Sequence, residues 1–258
     1  MKKLIKKFGR RIINSQIEKD VIKKKNQFIK QIRKRINFQE ETETLLFSHK
    51  KSISKILYYN EIYKNILKKP GVIMEFGVEF GSTLNLLSNL RSVYEPYNYS
   101  RKIIGFDTFS GFTSRLSSEE KNIGWKKGDY SVPKNYKKDL EKILSFNEQV
   151  SVLNHIKKFD LVEGDASKTL PKYLKKNQQT IISLAIFDMD VYKPTKIILN
   201  KIKKRLFKGS VLVFDELNHP EFPGETLALL DSIGLKNIKL KSFHGHTFGA
   251  YCILDKIL

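Results

Sequence analysis

The stretch Gly71-Val-Ile-Met-Glu-Phe-Gly-Val-Glu-Phe-Gly-Ser-Thr83 decides the fold of this chain. Its apolar start predicts a buried strand, with Glu75 at the carboxyl end. Gly77 and Gly81 follow, and an apolar helix pattern begins at Ser82. A strand, a glycine turn and a helix form the first half of a nucleotide-binding unit. The glycines let the backbone approach a ligand closely, and the helix start supplies free N–H groups.

The spacing of the glycines separates two kinds of nucleotide site. A dinucleotide site requires the pattern G-x-G-x-x-G, whose third glycine is absent here. The chain has E-x-G-x-x-x-G-S instead, and a carboxylate suits a cationic or hydroxyl-bearing ligand better than a pyrophosphate. The stretch is similar to the first motif of class I S-adenosylmethionine (SAM) methyltransferases. A tight turn that only packs a helix on a sheet is the alternative.

The overall composition describes a globular chain. Its 258 residues, of which 40% are hydrophobic, predict one large domain, or one domain with an extension. The single cysteine, Cys252, excludes an intrachain disulfide and fits a reducing compartment. No apolar run approaches the ~18 residues of a membrane span, and lysines interrupt the amino terminus, so no signal peptide is expected. We therefore expect a soluble, cytoplasmic protein.

The net charge of +21 is concentrated at one end. Residues 1–35 contain 14 Lys and Arg against two acids, which accounts for +12 of the total. A strongly basic surface can indicate nucleic-acid binding. The uneven distribution, and a Lys-, Ile- and Asn-rich composition of the kind that AT-rich coding produces, argue against that reading. Nucleic acid is therefore not expected as a partner.

Residues 1–69 are predicted to form a basic helical extension before a body that spans residues 70–258. The apolar residues at helical spacing could form one stripe, and they are Leu4, Ile5, Phe8, Ile12, Ile13, Ile17, Val21 and Ile22. We expect the stripe to pack on the body or on a second subunit of a homo-oligomer. Peripheral contact with an anionic membrane surface or an acidic partner is the alternative. A second helix pattern, 52–68, stops before Pro70. In methyltransferases such a helix often walls the cofactor pocket.

The body alternates strand and helix patterns. After the first strand, strands are predicted at 102–107, 159–163, 180–187, 210–214, 237–243 and 248–254. Helices are predicted at 82–94, 167–174, 194–207 and 225–233. This order predicts an α/β, Rossmann-like fold with a mostly parallel sheet. Residues 113–150, with a short helix at 137–144, form a connection long enough to serve substrate access.

Acids follow the carboxyl ends of five predicted strands. They are Glu75, Asp107, Asp165, Asp188 and the pair Asp215-Glu216. Open α/β sheets bind ligands at this edge, so we expect the acids to meet there. Repulsion among them must be offset by cations or hydroxyl groups. Helix capping after each strand is the alternative explanation.

The acids divide into two sets. The first set, Glu75, Asp107 and Asp165, fits a nucleoside that carries a sulfonium. Asp107 would accept O–H bonds from the ribose. Asp165 would bond the adenine amino group, as acids in this loop commonly do in SAM enzymes. The predicted cofactor-binding residues are Glu75, Gly77, Gly81, Ser82, Asp107, Thr108, Asp165 and Ala166. The second set, Asp188, Asp215 and Glu216, comes from two neighbouring strands and favours a hard divalent ion such as Mg²⁺.

Residues 60–255 resemble the class I SAM-dependent O-methyltransferases of the macrocin O-methyltransferase type, which methylate sugar hydroxyls. The resemblance rests on 75–82, 105–112, 188–192, 213–216 and the following 223–225. It implies the class I methyltransferase fold, with seven strands of which the last is antiparallel. It also places the family's Mg²⁺ ligands on Asp188, Asp215 and Glu216. Two residues depart from the family pattern. Met189 replaces a glycine, and Glu216 replaces an aspartate. A glutamate can still bind the metal, but its longer side chain changes the ligand geometry.

The resemblance implies in-line methyl transfer from a sulfonium to a sugar hydroxyl, which depends mainly on positioning. A metal that chelates two vicinal hydroxyls would lower their pKa. A general base would then remove the proton. His219 is our first candidate for this base, followed by His246 and His244, with Asp190 as a further one. Asp188 is counted among the catalytic residues as a ligand of the metal.

We therefore expect a SAM- and Mg²⁺-dependent O-methyltransferase that acts on a nucleotide-activated sugar. Bacterial surface polysaccharide (capsule) biosynthesis is the expected context, and a heptose is one candidate acceptor. An RNA methyltransferase is disfavoured because residues 188–191 do not form the N/D-P-P-Y/F motif that such enzymes carry. A non-catalytic protein that binds membrane surfaces would explain residues 1–36 but not the acids.

Overall fold

The computed structural model describes residues 16–113, 116–236 and 238–255, with all their side chains except those of residues 16–19, 119 and 246–248. The chain divides into two compact units, Met1–Ile53 and Ser54–Leu258. The domain boundary expected after residue 69 stays a prediction. The stripe residues Leu4, Ile5, Phe8, Ile12 and Ile13 lie outside the described residues. No described helix is long and apolar enough to cross a membrane.

From residue 16 onward, the first unit contains two helices and the start of a third. Helix α1 spans Gln16–Arg33, α2 spans Glu40–Phe47, and α3, Lys50–Lys64, continues into the second unit. Helices α1 and α2 are joined by side-chain contacts. Arg33 pairs with Glu43, and Lys25 donates hydrogen bonds to the carbonyls of Phe47 (3.2 Å) and Ser48 (3.1 Å). The prediction that this basic region is helical is confirmed for residues 16–33.

The second unit is built on a seven-stranded sheet. Its strands are β1 Val72–Phe76, β2 Ile103–Asp107, β3 Phe159–Glu163, β4 Ile182–Phe187, β5 Val211–Phe214, β6 Leu240–Phe243 and β7 His246–Ile253. They lie in the order β3-β2-β1-β4-β5-β7-β6. The first five strands are parallel, and β7 runs antiparallel to both of its neighbours. The predicted topology, with its antiparallel last strand, is confirmed.

Helices connect the strands and cover the sheet. They are α4 Ser82–Tyr94, α5 Ser118–Ile123, α6 Tyr136–Gln149, α7 Ala166–Lys176, α8 Tyr192–Ile202 and α9 Gly224–Ser232. The predicted 82–94 helix has the expected bounds. The helix predicted at 194–207 ends early, because the chain tightens into a 3₁₀ turn at Lys203–Arg205. Pro194 sits in the first turn of α8, where its missing N–H costs no hydrogen bond.

A row of phenylalanines crosses the parallel part of the sheet. Phe106, Phe76, Phe187 and Phe214 hold matching positions at the ends of β2, β1, β4 and β5. Their ring centroids are 5.1, 5.4 and 5.2 Å apart along the row, and every ring is buried. A loop at the carboxyl edge begins directly after Phe76, Phe187 and Phe214, and one residue further on, after Asp107, in the case of Phe106. The row therefore forms an apolar floor beneath that edge.

Arg101 closes the opposite end of the sheet, before β2. Its guanidinium is 1% exposed and binds both carboxylate oxygens of Glu95, at 2.9 and 3.0 Å. The same group donates to the Ser183 hydroxyl and to the carbonyls of Ile66, Lys69 and Gly71. It thereby joins the end of α4 to the segment that leads from α3 into β1. The planar fork of arginine is suited to this many acceptors.

We expect Arg101→Gln to destabilise the second unit by about 3–5 kcal/mol, because Glu95 would be left as a buried, unpaired carboxylate. Urea unfolding followed by circular dichroism measures the loss. Lys137→Gln is the matched control, since it removes one positive charge from a solvent-exposed pair with Glu163 and should cost less than about 1 kcal/mol. Equal stability of the two variants would contradict a structural role for Arg101.

Candidate active site

A cavity of about 260 Å³ opens at the carboxyl edge of β1 to β5. Eight carboxylates line it: Glu75, Glu79, Asp107, Asp165, Asp188, Asp190, Asp215 and Glu216. The predicted acids are thus brought together around one cavity. Gly77, Ser82, Thr108 and Ala166 of the predicted cofactor set also line the cavity. The whole set therefore borders a single ligand-sized space, except Gly81.

The glycine turn needs its glycines for close approach. Gly77 has a φ of +92°, and a Cβ there would lie 1.7 Å from the carbonyl oxygen of Asp188. Gly81 precedes α4 with a φ of +74°, and a Cβ there would lie 2.4 Å from the Leu140 side chain. Both positions require a left-handed backbone and a missing side chain. Gly77 lets the turn lie against the end of β4, whereas Gly81 makes room for α6.

Asp107 holds the glycine turn in place. Its Oδ2 accepts hydrogen bonds from the N–H groups of Val78 (2.6 Å) and Glu79 (2.9 Å), and its Oδ1 accepts one from Phe109 (2.6 Å). It caps a turn rather than a helix. A carboxylate has about four acceptor positions, so one remains for a ligand hydroxyl. The predicted contact with a ribose stays a prediction.

Asp165 also has a structural task. It is the N-cap of α7, and its Oδ1 accepts hydrogen bonds from the N–H and hydroxyl of Ser167, at 2.9 and 2.6 Å. Capping, the alternative weighed for these acids, is therefore realised here. The residue still lines the cavity beside Ala166. Its predicted role toward adenine stays a prediction.

Glu75 is a buried carboxyl group with an unsatisfied oxygen. Its side chain is 1% exposed, and Oε2 has no hydrogen-bond partner among the described residues. Burial raises the pKa of Glu75 to about 8; the Lys55 ammonium acts against this shift, and the charges of Asp107 and Asp215 add to it. Such a group gains most from a cationic ligand.

The second acid set lies on the other side of the cavity. Burial, followed by the charge of Asp215, raises the pKa of Asp188 well above its usual range. Burial also raises the pKa of Asp190 to about 7 and that of Glu216 to about 8. Glu216 Oε2 is buried without a hydrogen-bond partner, 3.7 Å from His219 Nε2. Within the described residues, no three acidic, His or Cys side chains lie close enough together to hold a metal ion.

Glu225 organises this side of the cavity, a role that sequence reasoning missed. Its carboxylate is buried and accepts hydrogen bonds from the N–H groups of Met189 (3.2 Å), Asp190 (3.4 Å) and Glu216 (3.2 Å). It therefore joins the loops after β4 and β5. A Cβ on Gly224 would lie 2.2 Å from the Asp190 carbonyl oxygen. The sequence marked the Pro-Gly-Glu run at 223–225 as a motif, but not its contacts.

The histidines do not form an obvious base. His219 Nδ1 accepts a hydrogen bond from the N–H of Glu221 (3.1 Å), so the neutral ring carries its proton on Nε2, which faces Glu216. Partial burial lowers the pKa of His219. His244 lies exposed in the turn between β6 and β7, away from the cavity lining. The side chain of His246 lies outside the described residues. The identity of the base stays a prediction.

Aromatic rings form the outer wall of the cavity. Phe112 stacks on Trp125 (5.0 Å between centroids) and contacts Tyr130 (5.1 Å), and Trp125 contacts Phe222 (4.8 Å). Three of these rings, Phe112, Tyr130 and Phe222, line the cavity. The segment 113–150, expected to serve substrate access, thus has two parts that lie in different places. Its first part borders the cavity, whereas α6 buries Leu140 and Leu144 in the core.

Comparison with solved structures identifies the enzyme class. A crystal structure of CalS11, described as a calicheamicin methyltransferase, matches with a TM-score of 0.84, 36% identity and 93% of each chain covered. The apo structure of CalS11, described as a TDP-rhamnose 3′-O-methyltransferase of calicheamicin biosynthesis, matches with a TM-score of 0.78, 35% identity, and 93% of this chain and 95% of that chain covered. The chain belongs to the class I SAM-dependent sugar O-methyltransferases. The predicted resemblance is confirmed.

More distant comparisons add only the fold. The O-methyltransferase NovP matches with a TM-score of 0.61 at 14% identity, over 79% of this chain and 81% of that chain. No protein-family model matches the chain, and no curated protein does. The assignment of this chain to the sugar O-methyltransferases therefore rests on the two CalS11 structures. SAM carries a sulfonium and an α-ammonium group, and the carboxylates of the cavity match these positive charges.

We expect the affinity of the enzyme for S-adenosylhomocysteine to rise with pH up to about pH 8. Below that pH Glu75 carries a proton, and a neutral acid gives the ligand's α-ammonium no charge partner. Binding to the carboxylate form releases this proton, so raising the pH favours the complex. Calorimetric titration in buffers of different ionisation enthalpy measures both the affinity and the released proton. Glu75→Gln should bind more weakly and lose this pH dependence, and an unchanged pH profile in that variant would contradict the assignment.

Proposed function

We propose that this enzyme transfers the methyl group of SAM to a hydroxyl of a nucleotide-activated sugar, with Mg²⁺ held at the ends of β4 and β5. The observation that carries the proposal is the single cavity with two acid sets. Glu75, Asp107 and Asp165 border its β1–β3 side, and Asp188, Asp215 and Glu216 border its β4–β5 side. A cationic cofactor and a chelated diol would thus be held next to each other.

The cofactor is placed on the β1–β3 side. When bound there, SAM supplies an electrophilic methyl group on a sulfonium. Glu75 contributes a buried carboxylate for the positive amino-acid end, and Asp107 has one acceptor position left for a ribose hydroxyl. Thr108 and Ala166 border the part of the cavity assigned to adenosine. Because Gly77 has no side chain, the glycine turn can lie against the end of β4 and border this part of the cavity.

The donors on the β4–β5 side fit a divalent cation by their chemistry. Asp188, Asp215 and Glu216 offer only oxygen ligands, which Mg²⁺ prefers. Glu216 Oε2 is buried without a hydrogen-bond partner, and the raised pKa values of Asp188 and Glu216 indicate carboxylates that lack a compensating charge. These three residues would hold the ion, which would lower the pKa of the sugar hydroxyl when bound. Glu225 fixes the backbone of both loops for this purpose.

The proton of the sugar hydroxyl needs an acceptor in the cavity. Asp190 lines the cavity, and burial raises its pKa to about 7, so near neutral pH it can take up a proton. His219, our first candidate from sequence, offers Nε2 only as a donor while Glu221 bonds its Nδ1. The raised pKa of Asp190 and the tautomer of His219 support Asp190 rather than His219 as the base.

The acceptor class is supported by similarity. The relative at 35% identity is described as acting on TDP-rhamnose, a deoxyhexose attached to a nucleoside diphosphate. Phe112, Tyr130 and Phe222 would give the acceptor an apolar wall, and ligand pockets commonly combine such walls with a few polar groups. We propose nucleoside diphosphate sugars as the acceptor class. A heptose acceptor and a role in capsule biosynthesis stay predictions.

A screen of acceptors tests the proposed reaction. The purified protein is incubated with SAM and a panel of TDP-, UDP-, GDP- and ADP-activated hexoses, deoxyhexoses and heptoses, with Mg²⁺ or with EDTA. We expect at least one sugar nucleotide to gain one methyl group by mass spectrometry, and EDTA to abolish the reaction. The free sugars are the matched controls for the nucleotide. Methylation of free sugars alone would contradict a nucleotide-activated acceptor, and full activity in EDTA would contradict the metal.

We expect Asp215→Asn to raise the Mg²⁺ concentration needed for half-maximal activity by at least roughly 10- to 100-fold, the loss that mutation of residues behind the ligands already causes, because it removes a charged ligand itself. S-adenosylhomocysteine should still bind, since the cofactor is placed on the other side of the cavity. Activity is measured against Mg²⁺ concentration, and cofactor affinity by calorimetry. Asp231→Asn is the matched control, because Asp231 forms a solvent-exposed pair with Lys196. A wild-type Mg²⁺ response in Asp215→Asn would rule this ligand out.

A further inference from the structure

The charged side chains that line the cavity are almost all negative. Among the described residues that line it, Lys55 is the single cation against eight carboxylates. The enzyme's cofactor carries two positive groups, the sulfonium and the α-ammonium, and one negative group, the α-carboxylate. The positive groups can be placed at many points of such a cavity. The α-carboxylate would be repelled everywhere except beside a cation or a helix amino end.

Lys55 provides such a cation, and it lies beside the amino end of α4. Its Nζ donates a 3.2 Å hydrogen bond to the Ser82 hydroxyl, at the first residue of α4. Within the described part of the chain it forms no salt bridge, and its Nζ also lies 5.9 Å from the centroid of the Tyr59 ring. Its charge is nevertheless felt by Glu75 and Glu79, whose pKa values it acts to lower. The ammonium therefore faces the cavity close to the glycine turn.

The amino end of α4 adds a second, independent attraction for an anion. Ser82 and Thr83 line the cavity, and no side chain caps this helix end. The first N–H groups of a helix lack intrahelical partners, and the helix dipole places positive potential there. Lys55 and the helix end thus flank the same part of the cavity. Together they provide a place for one carboxylate.

Helix α3, which carries Lys55, is well packed. Tyr58, Tyr59, Ile62 and Tyr63 are fully buried on its inner face. Tyr58 packs on Phe243 and Tyr251, with ring centroids 5.8 and 6.3 Å apart. The Tyr251 hydroxyl donates to Glu61 (2.5 Å), and the Ser54 hydroxyl donates to the Gly245 carbonyl (2.5 Å). The helix is therefore packed on the end of the sheet, and it brings Lys55 to the border of the cavity.

We propose that Lys55 binds the α-carboxylate of SAM, beside the amino end of α4, while Glu75 binds the α-ammonium. The inference rests on the cofactor placement proposed above. It assigns a binding residue to a helix that precedes the sheet, so that α3 becomes part of the cofactor site. It also gives the enzyme a means to distinguish SAM from adenosine compounds that lack the amino-acid end.

A pair of ligands isolates the contact. S-adenosylhomocysteine carries the amino-acid end, and 5′-methylthioadenosine has the same adenosine and thioether without it. We expect Lys55→Gln to weaken S-adenosylhomocysteine by at least about tenfold, the lower end for a hydrogen bond to a charged group. The variant should leave 5′-methylthioadenosine unchanged within about twofold, because this ligand offers no carboxylate. Calorimetric titration gives both dissociation constants.

Three further variants make the result decisive. Lys55→Arg keeps the charge and should restore most of the affinity for S-adenosylhomocysteine. Lys64→Gln removes one charge from the other end of α3 and should change neither ligand. Asp107→Asn alters the adenosine end and should weaken both ligands. If it weakens neither, the cofactor placement fails, and this inference fails with it.

The outcomes for Lys55→Gln then separate the explanations. A loss confined to S-adenosylhomocysteine, with rescue by Lys55→Arg, supports the contact. An equal loss for both ligands would show that Lys55 acts through the packing of α3, and no loss for either would show that it does not bind the cofactor; each of these results overturns the proposal. Thermal unfolding of each variant verifies that the comparison is made between folded proteins.

Discussion

The site depends on one constraint: several carboxylates are held together at a sheet edge, directly above an apolar floor. Phe76, Phe106, Phe187 and Phe214 stack across the four central strands. In three of those strands the next residue is an acid, at positions 107, 188 and 215. The floor withholds water and the acids repel each other, so burial and neighbouring charge raise the pKa values of Glu75, Asp188 and Glu216. Binding of a cationic ligand would offset the repulsion among the carboxylates at this edge.

The acids at this edge do not all have the same task. Asp107 and Glu225 accept hydrogen bonds from backbone N–H groups, and so they fix the loops from which the other acids project. Glu75 and Glu216 each keep a buried oxygen without a hydrogen-bond partner among the described residues. The first pair shapes the site and the second pair is available to a ligand. The division follows from hydrogen bonding, since all four side chains are acidic and at least partly buried.

Sequence reasoning recovered whatever depends on local pattern. The strand after Pro70, the helix that starts at Ser82 and the acids at the strand ends all follow from periodicity and from the rule that parallel strands bind ligands at one edge. It could not recover contacts between distant segments. The bonds of Glu225 to residues 189 and 190 join two loops, and Lys55 reaches the cavity from a helix that precedes the first strand. The tautomer of His219 depends on the N–H of Glu221, which no pattern reveals.

The charge of the cavity also bears on turnover. Methyl transfer converts a cationic sulfonium into a neutral thioether, and the sugar hydroxyl releases a proton. An acid-lined cavity holds the cation more strongly than the thioether, so the product loses part of the attraction that bound the substrate. When the sulfonium charge disappears, the pKa of a neighbouring carboxyl group rises. Asp190, the base proposed above, has a pKa of about 7 and is then placed to take up the released proton. The same crowding of acids that attracts SAM thus favours both proton uptake and release of the product.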